Sequence, residues 1–123
     1  MGAGIAEICA RAHADVLVYE HTRELLAAGR TRILASIDHA VSSGALTERE
    51  REQVSWRLRF TTDLGDLADR DLVCEAIVED EPCKTRMFAE LDKVITDPAA
   101  VLASNTSSIP ITRLGMATQT LRA

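Results

Sequence analysis

Two polar segments of the chain follow short apolar segments, and both could bind a ligand. The first, Glu75 to Lys84 (EAIVEDEPCK), follows the apolar run at 72–74, and the second, Ala103 to Ser108 (ASNTSS), follows another at 100–102. In open α/β sheets, ligands bind at the carboxyl ends of the strands, where both segments are expected to emerge. Hydroxyl and amide groups there could hydrogen-bond a substrate oxygen, although Ser, Thr and Asn are also common in plain loops.

Glycines and an acidic residue near the start of the chain suggest a second kind of contact. Gly2 and Gly4 precede a helical pattern, and glycines there let the backbone approach a pyrophosphate at the helix N-terminus. Glu20 lies about 20 residues further on, after an apolar run, where a carboxylate can bind the adenosine ribose hydroxyls. A carboxylate repels a 2′-phosphate, which favours NAD over NADP. Simple flexibility for the glycines and an ordinary strand end for Glu20 are the alternatives.

Strands and helices alternate along the chain, which predicts an α/β fold with a parallel sheet and right-handed crossovers. The expected helices end near His13, cover Thr22 to Ser43 and Glu48 to Arg57, begin at Pro82, and cover Thr112 to Ala117. The expected strands are Asp15 to Glu20, Leu58 to Thr61, Leu72 to Val78 and Ala100 to Ala103, and a helical turn lies within Asp63 to Asp69. Thr47 and Glu50 form a capping box.

Apolar periodicity predicts which side chains form the core. The first helix should present one apolar face, made of Ile5, Ile8, Cys9 and Ala12. Continuous apolar runs in the strands suit burial on both faces of a sheet. Trp56 should anchor the third helix to its neighbour.

Composition limits the class of protein. The 123 residues suffice for one domain, and the net charge of -5 makes nucleic acid an improbable partner. No apolar run is long enough to span a bilayer and no signal peptide is evident, so we expect a cytoplasmic protein without a membrane partner. The odd number of cysteines, Cys9, Cys74 and Cys83, predicts buried thiols rather than disulfides or a metal site.

Three segments together resemble the 3-hydroxyacyl-CoA dehydrogenases, and most closely the bacterial 3-hydroxybutyryl-CoA dehydrogenases. They are GAGIAE at 2–7, LVCEAIVE at 72–79 and SNTSSI at 104–109. The expected helical hairpin over residues 22–57 is also typical of this family. The resemblance covers nearly the whole chain and implies a Rossmann-like NAD-binding domain over residues 1–123, acting in fatty-acid metabolism on 3-hydroxyacyl-CoA.

The resemblance also implies roles for individual residues. Glu20 would hold the adenosine ribose, and Glu79 with Lys84 would line the nicotinamide half of the NAD site. Without the resemblance, Lys84 would be taken for a solvated lysine at a helix start. Substrate contacts would come from Ser107 at the reacting oxygen with Asn105 beside it, and from Ser36 at the CoA moiety.

Departures from the family pattern qualify this expectation. Met1 matches the methionine inside the family's GxGxxG fingerprint and Gly2 its third glycine, so the first strand and two glycines are absent. The family's catalytic His and Glu lie downstream of the SNTSS turn and beyond Ala123, as does the helical domain that makes the homodimer contact. His13 stands where the family usually has glycine, and with His21 and His39 it is rejected as the catalytic base.

We therefore expect an incomplete parallel sheet and no activity from this chain alone. One alternative is a non-catalytic remnant or nucleotide-binding fragment. Another is a helical interaction module built on the hairpin, which the acidic balance and the apolar strands argue against.

Overall fold

The computed structural model describes residues 2–119, and the chain divides into two compact units after Asp63. The N-terminal unit contains α1 (Gly2–Arg11), β1 (Val16–Tyr19), α2 (Arg23–Ser42), α3 (Glu48–Arg57) and β2 (Leu58–Thr61). The C-terminal unit contains a 3-10 turn (Leu64–Leu67), β3 (Leu72–Glu75), α4 (Glu81–Val94), β4 (Val101–Ser104) and α5 (Ile111–Gly115). The predicted match of Met1 to the family fingerprint lies outside the described residues.

The strands form two parallel pairs, one in each unit. Strand β1 pairs with β2, and β3 pairs with β4. The prediction of an α/β fold with parallel strands is confirmed. The prediction of a single incomplete sheet concerns the relative position of the two units and stays a prediction. Among the described residues, no helix is both long and apolar enough to cross a membrane.

Both helices of the N-terminal hairpin begin after a threonine N-cap, and of the predicted Thr47–Glu50 capping box the bond to the threonine hydroxyl is observed. The Thr22 hydroxyl caps α2 by accepting from the Leu25 amide at 3.2 Å, and the Thr47 hydroxyl caps α3 by accepting from the Glu50 amide at 3.1 Å. Gly44, with φ of 82°, turns the chain between the two helices. These local signals place the hairpin directly after β1.

Small side chains join α1 to the rest of the N-terminal unit, contrary to the predicted apolar face. The buried positions of α1 are Ala6, Glu7 and Ala10, whereas Ile8 is 68% exposed. Alanines at this spacing let α1 approach α2 closely, so the face that packs is the small one. The core that they join consists of Ala6, Ala10, Ile33, Ile37, Ala40, Leu46, Val54 and Leu58.

The end of α1 is closed by a residue in the left-handed region. His13 has φ of 72°, the Ala14 amide donates to the Cys9 carbonyl at 3.0 Å, and the His13 amide donates to the Ala10 carbonyl at 3.2 Å. This pair of bonds is a Schellman motif, in which glycine is the usual residue at the left-handed position. His13, which stands where the family usually has glycine, therefore adopts the conformation that glycine favours.

Two further packing predictions are wrong. Trp56 is 87% exposed, because α3 buries Val54, and a residue two positions further along a helix points away from that face. The cysteines are not buried thiols, since Cys74 is exposed and Cys9 and Cys83 are partly exposed. All three are free.

The strands are less buried than their apolar sequences predict. Every residue of β1 is only half-buried, and in β3 Leu72 is 57% exposed. Within the described residues each strand is an edge strand of a two-stranded sheet, and an edge strand is enclosed by fewer neighbours than a central one.

Strand β3 ends at Glu75, three residues before the predicted end. The Glu75 carboxylate turns back to accept from the Ile77 amide at 2.8 Å, so that this amide cannot continue the strand ladder. The last backbone bond between the strands runs from the Asn105 amide to the Glu75 carbonyl at 3.0 Å. Helix α4 then starts with Asp80 as its N-cap and Pro82 in the first turn, as predicted.

Candidate active site

A buried ion pair lies at the carboxyl ends of β3 and β4. The Lys84 ammonium on α4 donates to Glu75 Oε1 at 2.6 Å, and only 1% of either side chain is exposed. Glu75 Oε2 accepts from the Ser104 hydroxyl at 2.6 Å. Both carboxylate oxygens are therefore hydrogen-bonded, which is what a buried charge requires.

Further oxygens surround the Lys84 ammonium. It lies 3.3 Å from Asn105 Oδ1, 3.4 Å from the Ile77 carbonyl oxygen and 3.5 Å from Glu79 Oε1. The view of Lys84 as a solvated helix-start lysine is wrong, because it is one of the most completely buried side chains in the described structure. Its positive charge is therefore buried within the cluster, next to the more exposed Glu79.

Glu79 links the Lys84 ammonium to the polar turn after β4. Its Oε2 accepts from the Thr106 hydroxyl at 3.0 Å, the Ser107 amide at 3.3 Å and the Ser108 hydroxyl at 3.3 Å. Partial desolvation raises the pKa of Glu79, but the bonds from Thr106 and Ser107 and the charge of Lys84 outweigh it, so the net pKa is lowered. Glu79 is thus an ionised acceptor, and 44% of its side chain is exposed.

Ser107 presents a free hydroxyl beside this carboxylate. Its amide is held by Glu79, whereas its exposed hydroxyl has no hydrogen-bond partner within residues 2–119. Asn105 is half-buried, and its side-chain oxygen accepts from Lys84. The turn therefore offers a hydroxyl donor on the outside and an amide anchored to the buried cation.

The neighbouring thiol is that of Cys83, at the start of α4. The Cys83 amide donates to the Asp80 carboxylate at 3.1 Å, at the N-terminus of α4. A side-chain hydrogen bond to Asp80, together with partial desolvation and the charge of that carboxylate, raises the pKa of Cys83. The raised pKa disfavours the thiolate, which is the nucleophilic form of a cysteine.

The remaining predicted site residues lie in the N-terminal unit. Gly2 begins α1 and Gly4 lies in its first turn, where open space surrounds the position of a Cβ atom. Glu20 directly follows β1, and its amide donates to the Thr61 carbonyl at 3.2 Å. The Ser36 hydroxyl on α2 donates to Glu7 Oε2 at 2.7 Å. The structure thus brings together Glu79, Lys84, Asn105 and Ser107, and places Gly2, Gly4, Glu20 and Ser36 in the other unit.

Sequence reasoning gave no role to three residues that hold the cluster together, namely Glu75, Ser104 and Thr106. Glu75 could have been recognised as the only charged residue in an otherwise apolar strand. Buried acidic residues almost always have a partner, and Lys84 is the first basic residue on the next helix. Glu7, which accepts the Ser36 hydroxyl, carries a similar signal as a buried charge on α1.

Parallel βα units with a polar cluster at the strand ends define the chain as a nucleotide-binding type of α/β protein. Comparison with family models agrees with this class. The model described as "3-hydroxyacyl-CoA dehydrogenase, NAD binding domain" matches residues 1–122. The chain belongs to this family.

Known proteins similar to the chain carry related names. A 3-hydroxybutyryl-CoA dehydrogenase of Mycobacterium tuberculosis is 59% identical over 119 residues, which are 97% of this chain and 42% of that protein. The crystal structure of M. tuberculosis FadB2 superposes with a TM-score of 0.97 at 58% identity, covering 98% of this chain and 42% of the other. A 3-hydroxybutyryl-CoA dehydrogenase structure from Escherichia coli K12 gives a TM-score of 0.92 at 38% identity, covering 98% of this chain and 25% of that one. The chain thus spans about two-fifths of the length of the curated relatives that it matches first.

Proposed function

We propose that this chain forms the NAD-binding part of an oxidoreductase that converts 3-hydroxybutyryl-CoA to the 3-ketoacyl-CoA. The substrate follows from the names of the similar proteins, and the cofactor from the matching domain family. The observation that carries the proposal is the cluster at the ends of β3 and β4, where Glu79, Lys84 and Ser107 meet. An ionised acceptor, a buried cation and a free hydroxyl lie there within one small region.

The N-terminal residues fit a dinucleotide. The first amides of α1 have no partner within the helix, and the open space at Gly4 leaves room for a phosphate. The Glu20 carboxylate follows β1, at the end of a parallel strand, where ribose hydroxyls are bound in this type of fold. The Glu20 carboxylate would repel a 2′-phosphate and therefore supports NAD rather than NADP.

Each residue of the C-terminal cluster then has a chemical task. NAD, when bound, would supply the acceptor for the hydride that leaves the substrate carbon. Glu79, the exposed acceptor, hydrogen-bonds donor groups on the nicotinamide half. The Ser107 hydroxyl donates to the reacting substrate oxygen, and Asn105 keeps that turn in place beside Lys84. Ser36 contacts the CoA moiety after its hydroxyl exchanges Glu7 for the ligand.

Three further expectations concern the domain, the cellular compartment and the oligomeric state. We expect residues 1–123 to form part of one NAD-binding domain that is inactive by itself, as the resemblance implies. The free cysteines are compatible with a reducing cytoplasm. A homodimer is expected from the resemblance alone.

Acetoacetyl-CoA reduction tests the proposal in the full-length protein that contains this chain. Turnover is followed by the loss of NADH absorbance, and Ser107→Ala should lower kcat by about 10²-fold, the usual effect of losing a donor to a reacting oxygen. The neighbouring Ser108→Ala serves as the control and should lose less than about fivefold, since Glu79 keeps its bonds to Thr106 and Ser107. Absence of NADH-dependent turnover would contradict an enzymatic function, and NAD binding without turnover would favour the non-catalytic alternative.

A further inference from the structure

Glu75 is buried and charged, yet it cannot reach a ligand. Only 4% of the residue is exposed, and its carboxylate is fully used by Lys84, Ser104 and the Ile77 amide. A buried carboxylate without contact to substrate or cofactor needs another explanation. Its partners supply one, because they belong to different elements of the site.

The three donors come from α4, from the segment after β3 and from the end of β4. Lys84 is the cation beneath Glu79, and Ser104 begins the polar turn, where its hydroxyl also accepts from the Thr106 amide at 3.2 Å. Through Ser104, the carboxylate is linked to the residue that donates to Glu79. Through Lys84, it is linked to Glu79 directly, at 3.5 Å.

Lysine has a flexible side chain with three donors and no fixed orientation. In this site the 2.6 Å bond to Glu75 is the shortest contact of the Lys84 ammonium, and those to Asn105 and Glu79 are 3.3 and 3.5 Å. Glu75 therefore determines where the positive charge lies. The charge in turn attracts the Glu79 carboxylate into the position from which it accepts from the turn.

We propose that Glu75 is a positioning residue that acts through Lys84 and Ser104 to orient Glu79 and the 104–108 turn toward the nicotinamide half of the cofactor. The inference rests on the proposed NAD site. It assigns no catalytic role to Glu75, which touches neither substrate nor cofactor. A purely structural role would instead affect all ligands of the folded protein equally.

The two roles are separated by comparing NAD with ADP, which lacks the nicotinamide half. Glu75→Gln keeps the shape, can still accept from Lys84 and Ile77, and can donate to Ser104, but it removes the charge. Glu75→Asp keeps the charge but withdraws the carboxylate by one methylene, and it is made in parallel so that the test does not depend on one variant folding. Glu90→Gln, on the exposed face of α4, is the matched control.

Dissociation constants for NAD and ADP are measured by calorimetry on the full-length protein, at a temperature where each variant is folded. We expect both Glu75 variants to weaken NAD binding about 10-fold, because each weakens the hydrogen bond between charged groups that holds Lys84, and to change ADP binding less than about twofold. Lys84→Met should weaken NAD as well, and Glu75→Gln added to it should cause little additional loss. Glu90→Gln should match the unmutated protein.

Equal weakening of NAD and ADP would overturn the inference, as would unchanged NAD affinity in both Glu75 variants. A full additive loss in the Lys84→Met background would also overturn it, because Glu75 would then act independently of Lys84. Failure of the unmutated protein to bind NAD is a different outcome, which contradicts the proposed function itself.

Discussion

Replacing Lys84 by methionine would leave the Glu75 carboxylate buried without its cation. Methionine is similar in length to lysine and fills the same space, so the substitution removes a charge with little change in packing. The two remaining donors to Glu75 are the Ile77 amide at 2.8 Å and the Ser104 hydroxyl at 2.6 Å. Neither donor carries a charge, so the carboxylate would be only partly compensated.

The cost can be estimated from the burial of the pair. Because 1% of either side chain is exposed, solvent screens the charges weakly, and breaking such a pair typically costs about 3–5 kcal/mol. A whole domain is stable by only about 5–15 kcal/mol. Lys84→Met should therefore remove a large share of the stability around β3, α4 and β4. Lys84→Met combined with Glu75→Gln should recover part of it, since the buried charge is then gone.

Native-state hydrogen exchange of the β3 and β4 amides measures this loss locally. With about 1.4 kcal/mol for each factor of ten, exchange should accelerate by about 10²- to 4 × 10³-fold in Lys84→Met. Lys93→Met, on the exposed face of the same helix, provides the control and should exchange at nearly the unmutated rate. Exchange within about threefold of the unmutated protein in Lys84→Met would refute the reasoning that Glu75 depends on Lys84.

Three other substitutions test separate features. Glu20→Ala should reduce the preference for NAD over NADP in ligand titrations of the full-length protein, and equal or tighter NADP binding before mutation would contradict the assignment. Thr106→Val removes a donor to Glu79 and should raise the pKa of that carboxyl toward its ordinary value, as read by carbon NMR. Because the folded-state pKa of Glu79 is lowered, its contribution to stability is present above the unfolded-state pKa and is lost as the pH falls through the folded-state pKa. Thr106→Val should narrow the pH range between these two pKa values. An unchanged pKa of Glu79 in this variant would argue against the bond from Thr106. His13→Gly should relieve a left-handed strain of about 1 kcal/mol and raise Tm by a few degrees, whereas a lower Tm would show that the imidazole contributes more than the strain costs.

Local signals were sufficient to predict most elements of the fold. Thr22, Thr47 and Pro82 mark the starts of α2, α3 and α4 through interactions within a few residues. Each of these three helices begins within a residue or two of the expected position. The parallel pairing followed from the alternation of strands and helices. These features depend on residues that are close together along the chain, which is why the amino-acid sequence alone predicts them.

Features that depend on distant contacts were less predictable. Ile8 and Trp56 are exposed because the helices pack through small or differently placed side chains, which periodicity alone does not reveal. The end of β3 depends on where the Glu75 carboxylate turns. The burial of Lys84 depends on Glu75, nine residues earlier, and on Asn105, 21 residues later.

A crystal structure of the full-length protein with NAD would show directly whether the cluster at the ends of β3 and β4 binds the nicotinamide half. We expect the nicotinamide half at the carboxyl ends of β3 and β4, with Glu79 Oε1 or Oε2 within about 3.2 Å of a donor on the ligand. We also expect Ser107 to face the reactive side of the nicotinamide, with the Lys84–Glu75 ion pair unchanged. A nicotinamide bound elsewhere, with Glu79 and Ser107 exposed to solvent, would contradict the assignment of these two residues to the nicotinamide half of the site.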